Sequence, residues 1–177
     1  DLAAVLHLAA DWRTRTDGAY EPGVAALTAL WQAAAKNGEE PTEAALQSAC
    51  KALHEAPFTF DGGDARTHGA CSLDGVAKGF VVDRAFAAGV AAAGDAASIL
   101  SFQIGGDVRF GATARDVRVT DPRAPSANGS PLCTLRLHDR AVASSGGYER
   151  GFDVVGTHHS HILDPHTGRP CDAVLGS

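Results

Sequence analysis

The sequence predicts an α+β fold, with a helical first third and a strand-rich remainder. Two patterns carry this. Apolar residues recur at helical spacing from Leu2 to Leu53, and beyond residue 57 they give way to short runs divided by Gly, Pro, Asn and Asp. Helices grouped at one end, then hairpin-joined strands and one more helix, make mixed or antiparallel sheets with helices packed on them, not a doubly wound sheet.

Leu2, Val5, Leu6, Ala9 and Trp12 trace the first helix, and turns follow at Asp17-Gly18 and Pro22-Gly23. The second helix runs from Val24 to Asn37, with Leu27, Leu30, Trp31 and Ala34 on one side and Gly38 as its stop. Pro41 opens a third, which includes Leu46, Cys50 and Leu53. Phe58-Thr59-Phe60 alternates like a strand, and Asp61-Gly62-Gly63-Asp64 is a hairpin turn. Cys71-Ser72-Leu73 feeds Gly75, after which Val76, Phe80, Ala87 and Val90 trace a helix to Gly94. Ser98 to Ile104 reads as a buried strand that ends at Gly105-Gly106-Asp107. Strands are expected at 108–110, 117–119, 132–137 and 141–143, with the proline-rich stretch from Asp121 to Pro131 as an exposed loop. The last strand is expected over 160–163, placing His161 and Leu163 on one face and Ile162 and Asp164 on the other. Asp164-Pro165 ends it, because proline has no N–H to donate and restricts the residue before it.

A chain of 177 residues suits one domain or two intimate halves. Roughly 70% of the unfolded surface can be buried at this size, so no staple is required. Leu2 to Leu6 lacks the basic flank and cleavage motif of a secretion leader, and no stretch approaches the ~20 apolar residues of a membrane span. A net charge of −6 with no basic run excludes a nucleic-acid surface. Cys50, Cys71, Cys133 and Cys171 lie far apart without a CxxC, and leave the redox compartment open.

Four segments carry the chemistry. Ser160-His161-Ile162-Leu163-Asp164-Pro165-His166-Thr167-Gly168 sets an imidazole at a strand end beside a polar turn, which suits a general base. Ser72 to Gly79 is a strand-to-helix junction whose first-turn amides can hold an anion, with Lys78 as a mobile cation; tight packing is the plainer reading. Gly105-Gly106 permits close approach of a ligand, or is a glycine bulge between strands. Ala143-Ser144-Ser145-Gly146-Gly147-Tyr148-Glu149-Arg150 can cradle an anion and stack a ring at Tyr148, or is an ordinary loop. P-loop, GxGxxG and G-x-S-x-G patterns are absent. His158, His159, His161 and His166 with Asp164 form a rival pattern for zinc, since His159 and His161 would point the same way on a strand.

In order and interval these segments resemble the bacterial FAD:protein FMN transferases, the ApbE-type flavin transferases. The family pattern runs roughly DLGGIAKGYAVD, NIGGDIR, TSGDYER and SHILDPRTG. Here the chain gives SLDGVAKGFVVD, QIGGDVR, SSGGYER and SHILDPHTG, and Asp17 to Pro22 followed by Leu30-Trp31 is similar to the family's GAFDP…LW segment. The likeness covers nearly the whole chain. It implies an ApbE-like fold over 1–177 as a single, partial flavin transferase domain. An N-terminal strand and a C-terminal metal-binding segment, the latter bearing an aspartate and a threonine, would be missing.

The resemblance also implies an activity: FAD is split at its pyrophosphate, AMP leaves, and FMN is esterified to a threonine hydroxyl of a target flavoprotein with magnesium as cofactor. By the same likeness His161 would be the base, with Asp164 and Thr167 organising the turn around it. Ala77 would lend its carbonyl to the metal, and Lys78 would contact the cofactor. Gly105, Gly106, Asp107, Ser145 and Gly146 would line the FAD cleft with Tyr148 beside it, and His161 and His166 would also face the FAD. Departures from the pattern are His166 where the family has an arginine, which makes the charge there pH-dependent, Ser72 for aspartate, Asp74 for glycine and Gly147 for a polar residue. Glu21 and Gly23 loosen the FDPT pattern. They leave as alternatives an FAD-binding relative that no longer transfers, and a zinc-dependent hydrolase. Family members work in the periplasm or at the outer face of the cytoplasmic membrane, often lipid-anchored.

Overall fold

The computed structural model describes residues 2–53, 55–126, 128–148, 150–172 and 176. The chain divides into two compact units, Asp1–Val76 with Glu149–Val174, and Ala77–Tyr148 with Leu175–Ser177.

The first unit opens with helix α1 (Leu2–Arg15), which buries Val5, Leu6 and Ala9. Gly18 and Asp17 turn the chain with positive φ. The next charged group, Glu21, is buried but paired, which offsets its desolvation: it accepts Arg13 Nε–H at 2.5 Å and the Gly23 amide at 2.9 Å, while Arg13 Nη2 donates to the Leu53 carbonyl. Helix α2 (Ala25–Asn37) stops at Gly38, whose φ of 72° is the left-handed cap a glycine provides without strain. Thr42 caps helix α3 (Glu43–Ala52) by accepting the Ala45 amide, so the third helix starts two residues after the expected Pro41. Leu27, Trp31, Ala34, Leu46 and Leu53 from this region bury against Phe152, Val154 and Leu163. Each large side chain fully withdrawn from water there contributes ~1.5–3 kcal/mol. A second cluster joins Leu6, Ala9 and Phe58 to Tyr20, Phe60, Cys71 and Val76, and includes the expected hairpin of β1 (Phe58–Asp61) and β2 (Asp64–Thr67).

In the second unit, the part of helix α4 (Asp74–Ala93) beyond Val76 buries Val82 and Phe86. Gly94 ends the helix as expected. Residues Gly94–Ile99 then form a 3-10 helix, so the strand expected from Ser98 begins later, as β3 (Ser101–Ile104). That strand is also not buried: three of its four residues are exposed, because it is an edge of the antiparallel sheet β3-β4-β7. Here β4 is Asp107–Phe110 and β7 is Ala141–Val142. A separate antiparallel ribbon pairs β5 (Arg115–Thr120) with β6 (Pro131–Leu137), with an irregular register at Val119/Thr120.

The last expected strand is displaced. Strand β9 is Thr157–Ser160, not 160–163, and it pairs with β8 (Gly151–Val154), an element that the sequence did not suggest. One further hydrogen bond, from the His161 amide to the Arg150 carbonyl, continues the ladder. The chain then bends, because the Ile162 amide donates to Ser160 Oγ. His161 and Leu163 therefore do not share a face: His161 is exposed, while Leu163 is buried and bridges Pro170.

Candidate functional site

The open end of the β8–β9 hairpin positions His161. The Arg150 carbonyl accepts the His161 amide at 3.3 Å and lies 3.0 Å from His161 Nδ1. A carbonyl can only accept, so Nδ1 carries the hydrogen and neutral His161 presents an unprotonated Nε2. The residue is exposed, so its imidazole can be reached from solvent.

Three residues on, Asp164 organises the turn. Its Oδ1 accepts the His166 amide and its Oδ2 accepts the Thr167 hydroxyl, both at 2.9 Å, and Thr167 Oγ1 in turn accepts the Arg169 amide. Gly168 closes the turn with φ +71°, its amide on the Asp164 carbonyl and its own carbonyl on Trp31 Nε1–H at 2.8 Å. Arg169 reaches Glu43 at 2.6 Å. Asp164 and Thr167 are thus joined to each other and to the turn's backbone, while His161 is tied to Arg150. His166 is exposed beside Gly18.

Ala77, Lys78, Gly105, Gly106, Asp107, Ser145, Gly146 and Tyr148 belong to the second unit. Lys78, in the second turn of α4, places Nζ 3.3 Å from Asp107 Oδ1, with the lysine half-exposed and the carboxylate mostly covered. Gly105-Gly106 is a two-residue hairpin turn between β3 and β4, with Ile104 opposite Asp107 and Gly105 at φ +57°. Gln103 Nε2 donates to the Gly105 carbonyl. The Tyr148 ring lies over Gly146. Gly106, Ser145 and Tyr148 come together in a cleft of about 590 Å³, walled by Val108, Phe110 and Val142 on one side and by 116–120 of the ribbon on the other.

Sequence reasoning included Arg150 and Ser144 in the glycine turn but foresaw neither the main-chain role of Arg150 nor the β5 wall of the cleft. Among the described residues no group of three His, Cys, Asp or Glu converges as a metal site. The histidines considered for zinc diverge instead: His158 pairs with Asp153, His159 with Asp172 and His161 with Arg150. All four cysteines are free thiols. Burial pushes the Cys50 and Cys171 thiols up, and the Asp164 carboxylate adds to the shift at both.

The sequence profile of the ApbE family matches residues 1–177. The FAD:protein FMN transferase of Treponema pallidum (strain Nichols) is 30% identical over 198 residues, which cover 99% of this chain and 54% of that protein. That of Rhodobacter capsulatus is 33% identical over 187 residues, covering 98% of this chain and 34% of the relative. The chain therefore spans about half, or less, of the length of the curated relatives it matches. The solved apbe protein of Thermotoga maritima superposes with a TM-score of 0.81 at 29% identity, over 99% of this chain and 58% of that one. The Pseudomonas stutzeri flavinyl transferase ApbE in its apo form gives a TM-score of 0.67 at 20% identity over 96% and 54%, a likeness of fold alone.

Proposed function

The chain belongs to the ApbE family, and from that premise we propose that it serves the transfer of FMN from FAD to a threonine hydroxyl of a target flavoprotein, with release of AMP. The observation that carries this reading is the Arg150 carbonyl on His161 Nδ1, which leaves Nε2 as an exposed proton acceptor. Nε2 takes the proton as the threonine Oγ attacks the phosphorus on the FMN side of the pyrophosphate. The bond from that phosphorus to the bridging oxygen breaks, AMP leaves with the electron pair, and the imidazolium returns its proton to solvent. Asp164 and Thr167 hold the turn that follows the base. Donor-binding roles fall to Lys78, Asp107 and the cleft that Gly106, Ser145 and Tyr148 share. Positioning and charge neutralisation supply most of the rate in such a transfer.

Magnesium enters this reading from the family likeness. The ion demands several oxygen donors in near-octahedral array. Ala77 offers one main-chain carbonyl inside α4, and no acidic group of three joins it among the described residues. The described donor set does not make a magnesium cage, so no step above runs through the metal. An address in the periplasm, or on the outer face of the cytoplasmic membrane, is part of the proposal on the same likeness. No described helix is long and apolar enough to cross a membrane.

The test mixes the intact protein with FAD and a small acceptor domain carrying a threonine, with and without Mg²⁺. AMP release matched by covalent FMN on the acceptor supports the transferase. FAD binding without AMP in either condition overturns it in favour of a binding-only relative.

A further inference from the structure

Three consecutive backbone amides around His161 each have a separate acceptor. The Ser160 amide donates to Asp172 Oδ1 at 2.8 Å, the His161 amide to the Arg150 carbonyl, and the Ile162 amide to Ser160 Oγ at 3.1 Å. The first acceptor is an acid twelve residues along the chain, beyond the HILDP turn, and nothing in the turn's own hydrogen bonding requires it. Its second oxygen, Oδ2, lies 3.1 Å from His159 Nδ1; a carboxylate accepts, so that ring nitrogen donates. The His159 side chain is 13% exposed and its ring centroid is 5.1 Å from that of Trp31, which is itself buried and bonded to Gly168. His159 Nε2 is buried without a hydrogen-bond partner, with Glu40 Oε1 4.0 Å away. The ring is therefore held by packing against Trp31 and by one hydrogen bond, to Asp172.

Taking His161 as the proton acceptor of the reaction above, we propose that Asp172 is its positioning residue. One carboxylate grips the buried His159 ring with Oδ2 and the amide immediately before His161 with Oδ1. The candidate base is thereby fixed to the Trp31 core instead of swinging on the open end of a four-residue hairpin. Both bonds have a carboxylate as acceptor, which makes them stronger than bonds to a neutral acceptor. A base displaced by ~1 Å loses ~10²-fold in rate, so a clamp of this kind acts on turnover and not on donor affinity.

The experiment compares Asp172→Ala and Asp172→Asn with wild type in the intact protein. Read together are the ¹⁵N imidazole shifts of His161 (assigned against His161→Ala), single-turnover transfer to the acceptor domain, FAD affinity and thermal midpoint. Asp172→Ala is expected to lose the single Nδ1–H form of His161 and to slow transfer by ~10–100-fold, the usual loss when an outer partner is removed, with FAD affinity within about twofold. Asp172→Asn keeps an oxygen for the Ser160 amide and recovers much of both signals at a similar midpoint, which a purely structural role would not produce. Wild-type shifts and rate in Asp172→Ala would overturn the inference. A lost Nδ1–H form alongside unimpaired transfer by His161→Ala would uphold the clamp and remove the base reading instead.

Discussion

The main-chain carbonyl of Arg150 holds His161 twice, through its amide at 3.3 Å and its Nδ1 at 3.0 Å. A side chain eleven residues away thus has its tautomer set by a main-chain acceptor, and the residue type at 150 is secondary to where β8 begins. His161→Ala removes the proposed proton acceptor and leaves the rest of the frame in place. Transfer is expected to slow by ~10²–10⁴, the usual contribution of a general base, with FAD affinity within a few-fold. Single-turnover FMN transfer beside equilibrium FAD binding measures both, and unchanged turnover would take His161 out of the mechanism.

The same hairpin has a strained closed end. Val155 and Gly156 form its two-residue turn with φ of +50° and +77°, and Val155 is 71% exposed. Left-handed backbone costs an ordinary residue ~1–2 kcal/mol, and a β-branched one is an outlier there. Val155→Asn supplies the Asn-Gly pair that such turns favour. Stability by urea unfolding should rise by about 1 kcal/mol while the transfer rate stays unchanged, since the open end is untouched. A loss of stability would mean that Val155 makes an apolar contact worth more than the strain.

How far the sequence reveals this architecture depends on whether a residue's role is local. The α2 stop was legible because Gly38 is a chain-local signal, and so was the β1–β2 turn at Gly62-Gly63. Strand β8 was not, because Gly151-Phe-Asp-Val offers only two apolar residues and its partner is fixed by pairing. Ile162 and Leu163 drew the expected strand too far along, since their apolar character serves the packing of a turn: Leu163 sits in the core of α2 and α3. The residue types of the candidate site were readable at His161, Asp164 and Thr167. The groups bonded to His161 and to the two residues before it, the Arg150 carbonyl and the Asp172 carboxylate, were not, because main-chain acceptors leave no mark on a sequence and a lone aspartate near a turn is unremarkable.

Two glycines with the same backbone conformation separate strain from packing. Gly38 and Gly168 have φ of +72° and +71°, yet a Cβ at Gly38 meets nothing within 4 Å, whereas one at Gly168 falls 3.0 Å from Cys50 Sγ and 3.2 Å from Leu27 and Leu46 Cδ2. Gly38→Ala should lose about 1 kcal/mol from the left-handed conformation alone. Gly168→Ala adds overpacking of ~1–3 kcal/mol and loosens the Trp31 Nε1 bond to its carbonyl, for a total of roughly 2–4 kcal/mol. Denaturant midpoints at equal slope test the difference; equal losses would show that the α2–α3 core yields freely at that point.

Tyr20 gives the alkaline prediction. Its hydroxyl is buried with no hydrogen-bond partner, and its pKa is pushed up to about 12 from 10.0, first by burial and then by the neighbouring Cys71, Glu21 and Asp74. A phenol whose folded pKa lies above its unfolded value favours folding only while protonated. Its contribution is therefore complete below pH 10 and is lost as pH rises from about 10 through about 12. Tyr20→Phe removes that limb from the stability profile. Near neutral pH it also removes an unsatisfied polar group, so stability should hold or rise by up to about 1 kcal/mol. The difference in absorbance titration between wild type and Tyr20→Phe isolates this phenol from Tyr148, the only other tyrosine. A difference midpoint near 10, with a clear loss of stability in Tyr20→Phe at neutral pH, would mean that the hydroxyl is solvated or bonded and that burial does not govern it.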